Sequence, residues 1–394
     1  MATVADDSST TEVVTETASE NKLTAEEQAD GWLLLFDGET PFGWRPAGDA
    51  NWSIGDGVVK VSDGEVCLFR TTSQYSDYIL RADFRAPEST NSGIFLRTAP
   101  QPRDPGSDCY ELNIAPPDNP FPTGGFVKRQ QAVTGPIAEN AWHTFEARCE
   151  GGKFTVQLDG QQVLDYTDAT PLGLGFIGLQ HNQGPVEFRN VKLKPLGLQP
   201  IFNGRDLAGW RNYPEMAGKF EVTATGELRA YGGHGQLESA ATYDNFVLQF
   251  DAKCNGENLN SGLFFRCMPG AELMGYECQL NNSKIDGDAS RPADCGSGGI
   301  FRRQNARRIV ADDGQWFRVT LVVEGPHIAT WVNGYAVADW TDTRKPHENP
   351  RKGMRTAAGT LMLQAHDETT DFSFRNIEIA TLPPRRPTGP STKP

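Results

Sequence analysis

The chain reads as an all-β protein built from two tandem β-sandwich domains, and three observations carry that reading. A set of short motifs occurs twice in the same order. Between the motifs, apolar and polar residues alternate with period two, the pattern of half-buried strands. Glycine is plentiful, with 41 Gly and 26 Pro in 394 residues, as expected where many turns join short strands.

The elements follow in chain order. Residues 1–30 hold eight acids and one lysine and little aromatic or branched apolar content, a composition that cannot offset its ordering entropy; they are expected to form a disordered acidic leader. The first domain is expected over 31–196 and the second over 197–382, with a Pro-rich tail at 383–394. Leu35-Phe36-Asp37-Gly38 with Gly43-Trp44-Arg45 returns as Ile201-Phe202-Asn203-Gly204 with Gly209-Trp210-Arg211. Asn91-Ser92-Gly93 with Arg97 returns as Asn260-Ser261-Gly262 with Arg266, and Tyr110-Glu111 as Tyr276-Glu277. Gly124-Gly125 to Gln130, Trp142, Asp159-Gly160, Thr167-Asp168, Leu179-Gln180 and Phe188-Arg189-Asn190 also have their counterparts, ending at Phe374-Arg375-Asn376. Units of this length exceed solenoid repeats of roughly 20 to 50 residues, so a whole domain has been duplicated. Tyr78–Ala86, Phe154–Leu158, Phe317–Val323 and Phe372–Ile379 alternate like strands, and Asp159-Gly160 and Asn333-Gly334 supply the positive φ of type I′ hairpin turns.

Composition narrows the function. The net charge is -14, and the chain lacks the clustered Lys and Arg on which phosphate-backbone binding rests, so nucleic acid and anionic membranes are not expected partners. No apolar run approaches the roughly 18–20 residues of a membrane helix. Seven cysteines without a Cys-x-x-Cys pair give neither a disulfide framework nor a zinc knuckle. Cys254, Cys267, Cys278 and Cys295 read as small buried apolar groups, with a Cys267–Cys278 bridge left open. No nucleophile elbow, phosphate loop or dinucleotide fingerprint occurs, so no cofactor is required. The amino terminus shows no signal peptide.

Taken together, the motifs resemble the DUF1080 family, the 3-keto-disaccharide hydrolase domain. Its opening Leu-Phe-Asn-Gly with Gly-Trp, central Asn-Ser-Gly-x-x-x-Arg, Tyr-Glu-x-Gln, Trp-x-Asn-Gly, and closing Leu-Gln-x-His with Phe-Arg-Asn are found nearly complete in both units. The resemblance implies two concanavalin A-like jelly rolls, a carbohydrate partner, specifically glucosides oxidised at C3, and a periplasmic or secreted location. The chain departs from the family in three places, one being that Gln180 and His181 are adjacent in the first unit where the second reads Gln364-Ala365-His366. Gly124-Gly125-Phe126-Val127 and Gly298-Gly299-Ile300-Phe301 lack the usual tyrosine, and Asn113 stands in the first unit where the second keeps Gln279.

Glu111 and Asn113, like Glu277 and Gln279, are two apart on a strand and leave the same face. An unpaired carboxylate is too costly for the core, so that face is either the ligand groove or the site of an ion pair with Arg97 or Arg266. No second carboxylate pairs with either Glu in the strand motif, which disfavours ordinary glycoside hydrolysis with its two carboxyls. A 3-keto sugar needs one base, because the ketone acidifies the C2 proton. Glu277 and Glu111, or His366 and His181, are the candidate bases. Arg266 and Arg97 are the candidate enolate holders, and Gln279, Gln364, Asn260, Asn113, Gln180 and Asn91 the candidates for binding hydroxyls. His366-Asp367-Glu368 could hold a divalent metal. Trp44 and Trp210 suit either sugar stacking or core packing. The leading expectation is an enzyme acting on 3-keto glycosides, with the second unit favoured for activity. The alternative is a noncatalytic lectin-like protein.

Overall fold

The computed structural model describes residues 21–135 and 137–384. Thirteen strands fall in each half of the described chain. The two-residue hairpins form where expected, with Asp159 and Gly160 at φ +50° and +78° and Asn333 and Gly334 at +50° and +75°, joining Lys153–Leu158 to Gln161–Thr167 and His327–Val332 to Tyr335–Thr341.

Each half is a sandwich. In the first, a five-stranded antiparallel sheet runs Trp44–Pro46, Cys67–Thr71, Phe176–His181, Ser92–Thr98, Tyr110–Ile114. In the second, the order is Trp210–Asn212, Gly235–Ser239, Thr360–Ala365, Ser261–Cys267, Tyr276–Leu280. The opposite layers of the two halves join into one 16-stranded sheet. The link is Leu33–Leu34, which pairs antiparallel with Val186–Pro195 and, at Leu34, parallel with Tyr335 of the other half. The alternation in Tyr78–Arg85 sends Tyr78, Leu80, Ala82 and Phe84 inward, and one apolar cluster fills each sandwich. Trp44 and Trp210 belong to these cores, their indole N–H groups donating to Leu35 O and Ile201 O at 2.6 and 3.0 Å. They pack, and do not stand as sugar platforms.

The halves also meet through polar contacts. His327 is buried, with Nε2 3.1 Å from Ser73 Oγ and Nδ1 3.1 Å from Thr341 Oγ1, and Thr72 Oγ1 donates to Asp339. Arg307 reaches Asp37 across the boundary at 2.8 Å.

Residues 21–30, expected as part of a disordered leader, are folded. Thr24 caps the helix Ala25–Ala29 in a capping box with Glu27, and Glu27 pairs with Lys192 at 2.8 Å and Arg81 at 3.3 Å. Asn21 and Asn190 exchange backbone and side-chain hydrogen bonds. The docking is mostly polar, so low apolar content was the wrong signal. Residues 1–20 and 385–394, most of the expected leader and tail, lie outside the described residues. All seven cysteines are free and buried, with no Cys267–Cys278 bridge. No helix among the described residues is long and apolar enough to cross a membrane.

Candidate functional site

The repeated Asn-Ser-Gly-x-x-x-Arg motif sets the geometry of both sites. Its serine ties the central strands together: Ser92 Oγ donates to Gln180 O at 2.7 Å and Ser261 Oγ to Gln364 O at 2.8 Å. Its glycine is the floor beneath a carboxylate. Asn113 lies opposite Gly93, and Gln279 opposite Gly262. A Cβ on Gly262 would stand 3.0 Å from Glu277 Oε1, and one on Gly93 would stand 3.4 Å from Glu111 Cγ and 3.6 Å from Gln180 Oε1. Gly262→Ala is therefore expected to push the Glu277 carboxyl aside. Its expected signature is a loss of ligand affinity with a melting temperature within a few degrees of wild type, read by titration and thermal unfolding on one sample.

Glu111 and Glu277 leave the outer face of the five-stranded sheets, each 6% exposed. Burial raises both carboxyls to about 7, opposed at Glu111 by Gln180 and Lys128. At Glu277 the opposition comes from Arg351, while Asp294 reinforces the rise. Around them lie buried amide oxygens with no partner among the described residues: Asn113 Oδ1 and Gln180 Oε1 in the first domain, Gln279 Oε1 and Gln364 Oε1 in the second. Buried polar atoms are normally satisfied. Four amide carbonyls turned to the same faces as the two glutamates suit a ligand rich in hydroxyl donors.

Several expected residues take other parts. Arg97 and Arg266 touch neither glutamate. They sit at left-handed bulges, φ +47° and +49°, and are almost fully buried. Arg97 donates to Ser76 O, Gly151 O and Leu172 O at 2.6–2.8 Å and pairs with Asp77 at 2.9 Å. Arg266 donates to Asp244 O, Gly325 O, Arg355 O and Asn245 Oδ1 at 2.6–3.1 Å. Both are clamps on the sheet margin, so neither the enolate-holding role nor the ion pair with glutamate survives. His181 adjoins Gln180 in a strand and so leaves the opposite face from it; it is buried opposite Cys67, which removes it as a base. Its positional counterpart is Ala365, opposite Gly235, so His181 and His366 are not equivalent.

His366 lies exposed just past the end of its strand, with Nδ1 2.7 Å from Asp367. Asp367 is held at about 2, first by the Thr369 hydroxyl. Among the described residues no three His, Cys, Asp or Glu side chains converge on a metal position. Asn260 accepts from Gln279 Nε2 at 2.5 Å and so orients it. Asn113 Nδ2 donates to Phe121 O. Asn91 is half-buried and bridges to Gln183 through its backbone.

Sequence reasoning missed two residues near Glu277. Arg351 pairs with it at 3.3 Å, and Asp294 accepts from Gln279 Nε2 at 3.3 Å. Both lie in insertions visible on comparing the copies. Residues 114–123 separate Asn113 from Gly124, but 280–297 separate Gln279 from Gly298. Residues 169–174 separate Asp168 from Gly175, but 343–358 separate Asp342 from Gly359.

Two jelly-roll sandwiches, each with a buried carboxyl and open amide oxygens on the outer face of the smaller sheet, make a tandem pair of all-β domains of one design. The sequence profile of the 3-keto-alpha-glucoside-1,2-lyase-like domain matches residues 31–194 and 197–380, and the chain belongs to that family of carbohydrate-active proteins. It is 24% identical over 233 residues to the 3-keto-disaccharide hydrolase of Bacteroides thetaiotaomicron, covering 43% of this chain and 79% of that protein. Among solved structures it is similar to a provisionally assigned glycosyl hydrolase of Parabacteroides distasonis, with 22% identity, 48% of this chain, all of that chain, and a TM-score of 0.38. It is also similar to the carbohydrate binding module CBM66 of Bacillus subtilis, with 19% identity, 38% and 94% coverage, and a TM-score of 0.32.

Proposed function

We propose that the protein is an enzyme acting on 3-keto glycosides, with Glu277, and in the first domain Glu111, as the base. The observation that supports this most is the buried carboxyl on the outer face of the five-stranded sheet, among open amide oxygens; burial pushes it up to about 7, where a proton acceptor near neutral pH works best. In the proposed reaction the carboxylate takes the C2 proton, and the C–H electrons pass into the enolate of the C3 ketone. The enolate then re-forms the ketone and expels the C1 substituent, which leaves with a proton as the free alcohol. Water adds across the resulting C1–C2 double bond, and the net result is hydrolysis to the 3-keto sugar. The open amide oxygens of Gln279 and Gln364, and of Asn113 and Gln180, hold the sugar by accepting from its hydroxyls.

The test is incubation of purified protein with a C3-oxidised disaccharide, following release of the 3-keto monosaccharide. Release supports the proposal; no turnover at any pH or with any added divalent metal rejects it. A lectin-like protein would bind the sugar and leave it unchanged. The pH profile adds a second check. The base is needed as carboxylate, so the rate at limiting substrate is expected to be low at pH 5 and to rise through about pH 7 to a plateau. A rate constant from pH 5 to 8 removes both glutamates as bases.

A further inference from the structure

The ten extra residues that the second domain carries between Asp342 and Gly359 rearrange its charges around Glu277. In the first domain the Tyr110 hydroxyl donates to Asp168 at 2.8 Å, and Arg129 completes the clasp at 3.1 Å. In the second, Tyr276 donates to Asp342 at 2.7 Å, but the arginine on Asp342 is Arg344 from the insertion, at 2.7 Å. Arg303, the counterpart of Arg129, is thereby released from the carboxylate and, among the described residues, donates only to the carbonyls of Arg302 and Arg351. The same insertion brings Arg351 over the Phe264 ring, 5.2 Å from its centroid, and onto Glu277.

The result is a small pocket, about 90 Å³, lined by Glu277, Phe301, Arg302, Arg303, Pro350 and Arg351 among others. Arg302 is exposed, lies over the Phe301 ring at 5.2 Å and makes no ion pair within 4 Å among the described residues, its charge acting at longer range on Glu277. Three arginines thus line a pocket that holds one carboxyl, Glu277. The equivalent place in the first domain has no such surplus. Lys128 there is paired with Asp104 at 3.0 Å, and Arg129 is committed to Asp168.

We infer that the second domain takes a sugar bearing an anionic substituent, a carboxylate or a sulfate ester, received by Arg302, Arg303 and Arg351, whereas the first domain takes neutral sugar. Guanidinium groups bind such oxyanions through charge-assisted, often bidentate hydrogen bonds. Phe301, where the first domain has Val127, gives the pocket an apolar wall. This inference rests on the groove being a sugar site, as proposed above.

Calorimetric titration of the full chain with methyl glucoside, methyl glucuronide and glucose 6-sulfate at low salt tests it. At least one anionic sugar is expected to bind about tenfold tighter than the glucoside, equivalent to about 1.4 kcal/mol. Which of the two gains identifies the substituent. Arg302→Ser, at an exposed position where folding is not at stake, and Arg351→Met should each bring the ratio of anionic to neutral affinity toward one. Equal affinities in the wild-type protein overturn the inference and leave the sugar site standing, as does a gain that survives both substitutions. Binding of none of the three overturns the inference, and titration with a 3-keto glucoside then separates the two readings: binding leaves the sugar site standing, and no binding overturns it as well.

Discussion

Glu277→Gln is expected to lower turnover of a 3-keto disaccharide by roughly 10² to 10⁴, the usual worth of a positioned acid or base, while the protein stays folded. The substitution keeps the shape of the side chain and removes the proton acceptor together with the charge that pairs with Arg351. Glu111→Gln is the matching change in the first domain, and comparing the two rates assigns the activity to one copy or both. The same pair yields a stability signature. Each carboxyl titrates near 7 in the folded protein against 4.5 for the unperturbed group. A folded value raised in this way contributes stability that is fully present below pH 4.5 and is lost as pH climbs through 7. At pH 8 the wild-type protein has therefore lost about 3 kcal/mol per group, a cost that glutamine does not carry. Glu111→Gln should be more stable than wild type at pH 8 and equal to it at pH 4. The gain at Glu277→Gln should be smaller, because Arg351 loses its partner. Denaturant unfolding at the two pH values reads both; a Glu111→Gln variant no more stable at pH 8 than at pH 4, relative to wild type, rejects the buried, raised carboxyl.

Arg266→Met is expected to destabilise the second domain by roughly 3 to 5 kcal/mol, the range for breaking a buried charged network, and to lower its melting temperature by about 6–20 °C. Four oxygen acceptors lose their donor at once, and a left-handed residue loses the contacts that hold it there. Arg97→Met should act likewise on the first domain. Folded protein that remains should keep its turnover, since neither arginine reaches the groove. Unchanged stability with lost turnover would return the arginine to the site. The neighbouring glycines point the same way: a Cβ on Gly175 would lie 2.2 Å from the Arg97 carbonyl carbon, and one on Gly359 2.4 Å from that of Arg266.

The two arginines show where reading the chain went astray. Asn-Ser-Gly-x-x-x-Arg puts serine, glycine and arginine on one strand, and strict alternation puts Gly262 and Arg266 on one face. The bulge at Arg266 breaks that alternation and sends the guanidinium into the sheet margin. Nothing in the spacing of the motif reveals a bulge. His181 failed differently. Residue type pairs it with His366, but strand parity pairs it with Ala365, and parity decides which face a side chain takes.

The sequence alone determined the duplication, the all-β class, the hairpin turns at Asp159-Gly160 and Asn333-Gly334, and the shared face of Glu111 with Asn113 and of Glu277 with Gln279. These follow from local rules: period-two alternation, positive-φ turn residues and motif order act over a few residues and are written in them directly. Only the tertiary structure decided that Leu33–Leu34 would join both halves into one sheet, that Asn21 and Glu27 would dock residues 21–30, and that Arg351 and Asp294 would arrive beside Glu277. Each of those contacts closes a long loop or crosses the domain boundary. Its partner is chosen by how the sheets stack and how the insertions fold back over them, and that choice depends on groups tens to hundreds of residues away.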